Sequence, residues 1–324
     1  MRKDRGVKAF FIETTTSEVP NHRRSFLSLP GTQAIAYIYM HISSKKGWAK
    51  GPALDEEIWR AALEYNPDII VYIGACGGNT PSPYLFERLR SHVAPTVHFC
   101  SDAADDPWWP FLEEYERANS FSLQVALDGV REWPLKDKGL SALTPLDPAC
   151  FPAVPLPHGR RDIAFGFAGN GGSKARINHN SDIRRRLIDE MREFGLQVRI
   201  REGDAETYPE FSSFLGRCRM VPNFGHTGSR RHMHVKGRVI ETGLAGAMLL
   251  EQRGSPTSTW FKRGVEFLEY ETGEDARQLV RFFRDAHAET QAMGERLRAR
   301  IFAEHGPRQF WDRIFDRISL QVPA

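Results

Sequence analysis

Five prolines fall within thirteen residues, at Pro145, Pro148, Pro152, Pro155 and Pro157. Proline has a fixed φ and no N–H, so neither a helix interior nor a central strand runs through such a stretch. The chain on either side must find its own core, and 324 residues are enough for two. Before the prolines, short apolar runs rich in β-formers recur at 8–13, 34–40, 68–74, 96–100, 121–125 and 140–144, with helix-like segments at 54–64, 83–91 and 107–117. Near-continuous apolar strands alternating with helices predict a parallel sheet covered on both faces. The pattern then restarts. Strands are expected at 162–168, 196–201, 218–223, 247–251 and 265–270, and helices at 182–194, 274–287, 289–304 and 307–318. The expected class is α/β, with two Rossmann-like doubly wound domains at 1–150 and 151–305, the proline stretch as linker, and a terminal helix in 306–324. That helix is expected to pack back on the first domain through Phe310, Trp311 and Phe315.

Several functional classes are disfavoured at once. No apolar run approaches the roughly 20 residues of a membrane-crossing helix, and the start, MRKDRGVKAFFIETTTS, turns polar too soon for a signal peptide. A cytoplasmic protein without a transmembrane segment is expected. Cys76, Cys100, Cys150 and Cys218 are scattered without CxxC spacing, which predicts free thiols rather than disulfides or zinc. A net charge of +3 is too small for nucleic acid to be the main partner. Its distribution is uneven: of 44 Lys/Arg and 41 Asp/Glu, 27 and 22 lie from Arg161 onward, which favours an anionic ligand in the second half.

Within that half, the stretch 234–253 (HVKGRVIETGLAGAMLLEQR) reads as a helix that stops at glycine and feeds a buried strand. It places the cations Lys236 and Arg238 beside one carboxylate, Glu241, near the sheet edge where open α/β folds bind ligands. Cations suit phosphates and a carboxylate accepts from a diol; the plainer alternative is a surface Lys/Arg pair with a capping Glu. Gly169, Asn170 and Gly171, after the first strand of this half, would let backbone N–H groups approach phosphate oxygens, or simply form a turn. The loop is neither GxGxxG nor a P-loop, which counts against nicotinamide and ATP. Asn223 leaves a later strand into a loop with His226, His232 and His234, which lack a carboxylate or Cys at metal spacing, so no metal is expected. In the first half, Asp102 ends a strand as a general base or as the cap of the next helix.

In this context the chain resembles the GT-B glycosyltransferases, and in particular the spore-maturation-protein-like bacterial group. The segments that carry the likeness are 165–169 (FGFAG), 208–223 (YPEFSSFLGRCRMVPN), 235–252 (VKGRVIETGLAGAMLLEQ), 260–270 (WFKRGVEFLEY) and 274–304, with weaker cues at 96–102, 122–129 and 144–152. The resemblance implies two domains facing across a cleft, acceptor in the first and nucleotide-sugar donor in the second, with a UDP-sugar as the expected donor and no cofactor. The acceptor, whether glycan, protein or small molecule, stays open. It further implies that Glu241 binds the ribose, that the backbone at Leu244, Ala245 and Gly246 lies near ribose and diphosphate, and that Lys236 and Arg238 neutralise the leaving group. Gly169, Asn170, Gly171, Asn223 and His226 complete the expected donor site. Related retaining enzymes carry a second glutamate where this chain has Met233, so retention is not implied; for inversion, Asp102 or His22 would be the base. A nucleotide-sugar 2-epimerase or hydrolase of the same fold, or a sugar-binding protein, are the competing readings.

Overall fold

The computed structural model describes residues 6–13, 22–39, 51–74, 80–100, 109–129, 139–169, 179–200, 208–226 and 232–320. Two compact units result. The first takes Met1–Ser17, Asn21–Ala142 and Pro307–Ala324; the second takes Leu143–Gly306 together with Glu18–Pro20.

The first unit is built on β1 (Lys8–Glu13), β2 (Gln33–Ile38), β3 (Ile69–Ile73), β4 (Thr96–Cys100), β5 (Leu123–Ala126) and β6 (Gly139–Ser141). They form one parallel sheet in the order β2-β1-β3-β4-β5-β6. Its helices are α1 (His22–Leu27), α2 (Pro52–Tyr65), α3 (Pro83–His92) and α4 (Trp109–Arg117). Because both faces are covered, strands such as β3 (IIVYI) are apolar throughout rather than alternating. One face packs Tyr72, Phe86 and Phe121 against α2 and α3. The other is closed by the last helix of the chain, α10 (Pro307–Arg317), whose Phe310, Trp311 and Phe315 are buried against Phe11, Phe26 and Phe99.

The second unit contains β7 (Ile163–Gly169), α5 (His179–Arg192), β8 (Gln197–Ile200), α6 (Tyr208–Arg217), β9 (Cys218–Asn223), α7 (Gly237–Leu244), β10 (Met248–Gln252), β11 (Phe267–Tyr270), α8 (Gly273–Phe283) and α9 (His287–Glu304). Its parallel sheet runs β11-β10-β9-β7-β8. The proline stretch expected as a linker belongs to this unit: Leu146 and Phe151 enter its core beside Phe211 and Phe214. Proline blocks regular structure but does not prevent a segment from docking through the apolar residues between the prolines.

Helix α7 is held at its end by a set of close fits. Gly246 adopts φ 65°, its N–H meets the Gly243 carbonyl at 2.8 Å, and the Ala247 N–H meets that of Thr242 at 3.1 Å, a Schellman cap that needs glycine at the left-handed position. The remaining terminal carbonyls also find donors. Arg298 reaches Leu244, Arg161 reaches Ala245 at 2.9 Å, and His158 reaches Gly246 at 2.8 Å. A Cβ on Gly294 of α9 would lie 2.5 Å from the Gly246 oxygen, so α9 crosses this turn in backbone contact. No helix among the described residues is long and apolar enough to cross a membrane.

Candidate functional site

In the second sheet, chain order reverses between β7 and β9, which lie side by side although β8 comes between them in sequence. Open α/β sheets leave a crevice at the carboxyl ends of the strands where this happens. Pairing between β7 and β9 runs through Ile163↔Cys218 and Phe165↔Met220. Beyond it, Pro222 of β9 offers no N–H to a ladder.

Gly169 is the last residue of β7, with φ 142°. Arg238 lies over it: a Cβ built on Gly169 would sit 2.7 Å from Arg238 Nη2. The Arg238 guanidinium is held between the rings of Phe211, 4.7 Å from its centroid, and Phe167, at 5.2 Å. Its side chain is only 12% exposed, yet Nε and Nη1 have no hydrogen-bond partner among the described residues. Buried donors of a charged group left unpaired cost about 1–3 kcal/mol or more. The nearest carboxylate is that of Glu241, one turn along α7, with Oε2 3.5 Å from Nε. Lys236 caps α7 from the extended region without a side-chain cap bond, so the positive end of the helix points the same way.

Arg184 of α5 joins this group. Burial lowers its pKa first, and the neighbouring charge of Arg238 lowers it further. Arg184 thus lies close enough to Arg238 for the two charges to interact, and a pair of cations brought together suits an anion. Arg184 escaped sequence reasoning because it is one of three consecutive arginines, 184–186, and only the fold brings the first of them within reach of the Arg238 charge.

The other expected site residues divide. Asn223 ends β9 at the crevice but turns its amide toward Glu251, donating to Oε1 and Oε2 at 3.0 and 2.9 Å, while its carbonyl accepts from Tyr270 at 2.7 Å. It braces the strand ends. Glu251 also accepts from Thr257 Oγ1 at 3.1 Å and the Gln252 N–H at 3.1 Å; burial pushes its pKa up to about 7 against these hydrogen bonds. His226 lies just past β9, bridged to Met233. Met233, where related retaining enzymes carry glutamate, is packed against Gly225 and Gly254.

Leu244, Ala245 and Gly246 require a correction. They lie at the far end of α7, which runs from the carboxyl end of β9 to the amino end of β10. All three are buried, with carbonyls taken by Arg298, Arg161 and His158. They shape the turn before β10, whereas Gly169 ends β7 and Lys236, Arg238 and Glu241 belong to the start and middle of α7. Asn170, Gly171 and Asp102 lie outside the described residues. His22, considered as a base, is buried in the first unit with its ring edge-on to Phe99 at 5.0 Å; burial lowers its pKa to about 3. A group so weakly basic is poorly matched to removing a hydroxyl proton near neutrality.

Residues 168–316 match the family model described as glycosyl transferase-like. Solved structures extend the likeness over both units. HepE of Anabaena, crystallised with UDP, shares 10% identity over 97% of this chain and all of its own, with a TM-score of 0.62. A glycosyltransferase of Rickettsia africae (11% identity, 98% of this chain, all of its own, TM-score 0.62) and the sucrose-phosphate synthase of Thermosynechococcus elongatus (10%, 95%, 99%, 0.61) agree with it. At these identities the shared property is the fold: two parallel-sheet α/β domains of the GT-B type. No curated protein matches the sequence.

Proposed function

We propose that the protein is a glycosyltransferase that moves a sugar from a nucleoside diphosphate sugar, with UDP as the expected nucleotide, to an acceptor hydroxyl. The observation that supports this most directly is Arg238, buried over Gly169 at the switch point with two guanidinium nitrogens open. Such a group binds a diphosphate, and it stabilises the charge that grows there as the glycosidic bond breaks, without reorganising. Arg184 shares that load. Glu241, one turn from Arg238, accepts from the ribose hydroxyls. HepE structures holding UDP and UDP-glucose lend support by analogy, and the sequence likeness to the spore-maturation-protein-like group points the same way. Fixed cations here can do what a metal does elsewhere, so turnover is expected to survive chelation.

Calorimetry with UDP, GDP and TDP tests the reading. Glu241→Gln keeps shape but loses charge, and a charge-assisted hydrogen bond is worth about 1.5–3 kcal/mol, so affinity for the preferred nucleotide should fall about ten- to a hundredfold. Unchanged affinity would leave Glu241 as the ion-pair partner of Arg238 alone.

A further inference from the structure

The first sheet has its own reversal of order, between β1 and β3, and the residue at the carboxyl end of β1 is Glu13. Its side chain is 3% exposed and Oε1 has no hydrogen-bond partner among the described residues; the nearest cation is Arg23, with Nε at 3.7 Å, beyond hydrogen-bond reach. Side chains alternate along a strand, so Glu13 shares the face of Phe11, which packs on Phe26 and Trp311. His22 lies over that face against Phe99. It is 7% exposed, and neither Nδ1 nor Nε2 has a partner among the described residues. Its position is fixed from below: the Ser25 hydroxyl donates to the His22 carbonyl at 2.7 Å, and Trp311 Nε1 donates to the Ser25 oxygen at 3.1 Å. Arg23, 29% exposed, reaches from this cluster to the surface.

Buried polar atoms without partners are uncommon in folded proteins and call for an explanation. Here three buried atoms, one on Glu13 and two on His22, lack partners on one face of the sheet, at the end where such sheets bind ligands. We propose that Glu13, His22 and Arg23 form a binding site for an uncharged polyhydroxyl group, a sugar ring.

The chemistry selects this class. Glu13 supplies an acceptor, Arg23 supplies donors, and a neutral imidazole supplies one of each. Hydroxyl groups both donate and accept, so neighbouring hydroxyls of one ring can meet all three. A phosphate or carboxylate would face Glu13, and an ammonium would face Arg23. Burial raises the pKa of Glu13 and lowers that of His22, which favours neutral partners further. Identifying this sugar as the acceptor rests on the function proposed above; binding of the sugar does not.

Saturation-transfer NMR on the full chain with UDP in excess to fill the donor site, with methyl α- and β-glycosides of glucose, galactose and mannose and with methyl phosphate as a charged control whose methyl protons report binding, tests the site. At least one glycoside should receive saturation and methyl phosphate should not. Glu13→Gln, of the same shape, and Arg23→Met, partly exposed and therefore tolerant of change, should each weaken that glycoside at least tenfold. UDP affinity, measured on the same proteins, should stay unchanged. Absence of transfer to every glycoside, or transfer unaltered by both variants, overturns the proposal. Loss of UDP binding in the wild type would instead count against the donor reading, with the glycoside result still standing.

Discussion

Arg238 occupies the space that a side chain at position 169 would need, 2.7 Å from a Cβ there. Gly169 also has φ 142°, which L side chains rarely adopt. Gly169→Ala should therefore push the guanidinium off its seat between Phe167 and Phe211. Nucleoside diphosphate affinity should drop at least tenfold in calorimetry. Unfolding should shift by only about 1–2 kcal/mol, since one backbone residue and one side chain are disturbed.

Arg184 and Arg238 should act on the phosphates and not on the nucleoside. Replacing either by Met keeps most of the stem and removes the charge. Each variant should weaken UDP about tenfold or more and leave uridine unchanged, whereas Glu241→Gln should weaken both. Two cations on one diphosphate should couple, so the double variant should depart from additivity by more than about 0.5 kcal/mol. Equal losses for UDP and uridine would place Arg184 in a supporting role.

Gly294 tests what holds α7. It sits inside the eighteen-residue α9, where Ala would ordinarily be better by about 1 kcal/mol. Here an added Cβ would lie 2.5 Å from the Gly246 oxygen. Gly294→Ala should destabilise by roughly 1–3 kcal/mol in denaturant melts, because backbone cannot step aside as a flexible side chain can. Gly237→Ala, at the open start of α7 where nothing lies within 4 Å, should be tolerated.

Much of the architecture was legible because strands buried on both faces announce themselves as apolar runs. β1, β4 and β9 begin and end where those runs do. What stayed hidden depended on distant partners. Helix α1 is six residues long, and its Phe26 packs on Trp311, 5.0 Å away between ring centres but at the other end of the chain. The prolines announced a break and concealed the docking of Leu146 and Phe151 between them. In the candidate site, Arg238 and Glu241 were legible as a cation and a carboxylate one turn apart. Leu244 to Gly246 were misplaced because closeness in sequence to Glu241 suggested closeness in space. At 1.5 Å per residue, the eight residues of α7 carry the chain about 12 Å from one end of the sheet toward the other. Glu13 ended its strand in plain view, but nothing local in sequence shows that its carboxylate is buried.

Glu251 gives the fold a pH dependence of its own. Buried at the end of β10, its carboxyl is pushed from the ordinary 4.5 up to about 7 by desolvation, which outweighs the hydrogen bonds from Asn223, Thr257 and the Gln252 N–H. The folded state then holds this proton more tightly than the unfolded state. Stability from Glu251 is full below about pH 4.5 and is lost as pH rises through about 7, a change on the order of 3 kcal/mol. His22 and His98, both buried with pKa values near 3, act in the opposite sense. The unfolded chain protonates them below about 6.5 and the folded chain does not, so they withdraw stability as pH falls. The two trends overlap in the wild type, and the difference between variants separates them. Glu251→Gln still accepts from Asn223 through its amide oxygen and donates to Thr257 through its nitrogen. Relative to wild type, it should be less stable near pH 5 and should lose that deficit by pH 8. Urea melts of both proteins across this range measure it. A constant offset at every pH would mean that Glu251 keeps its charge throughout, held by Asn223.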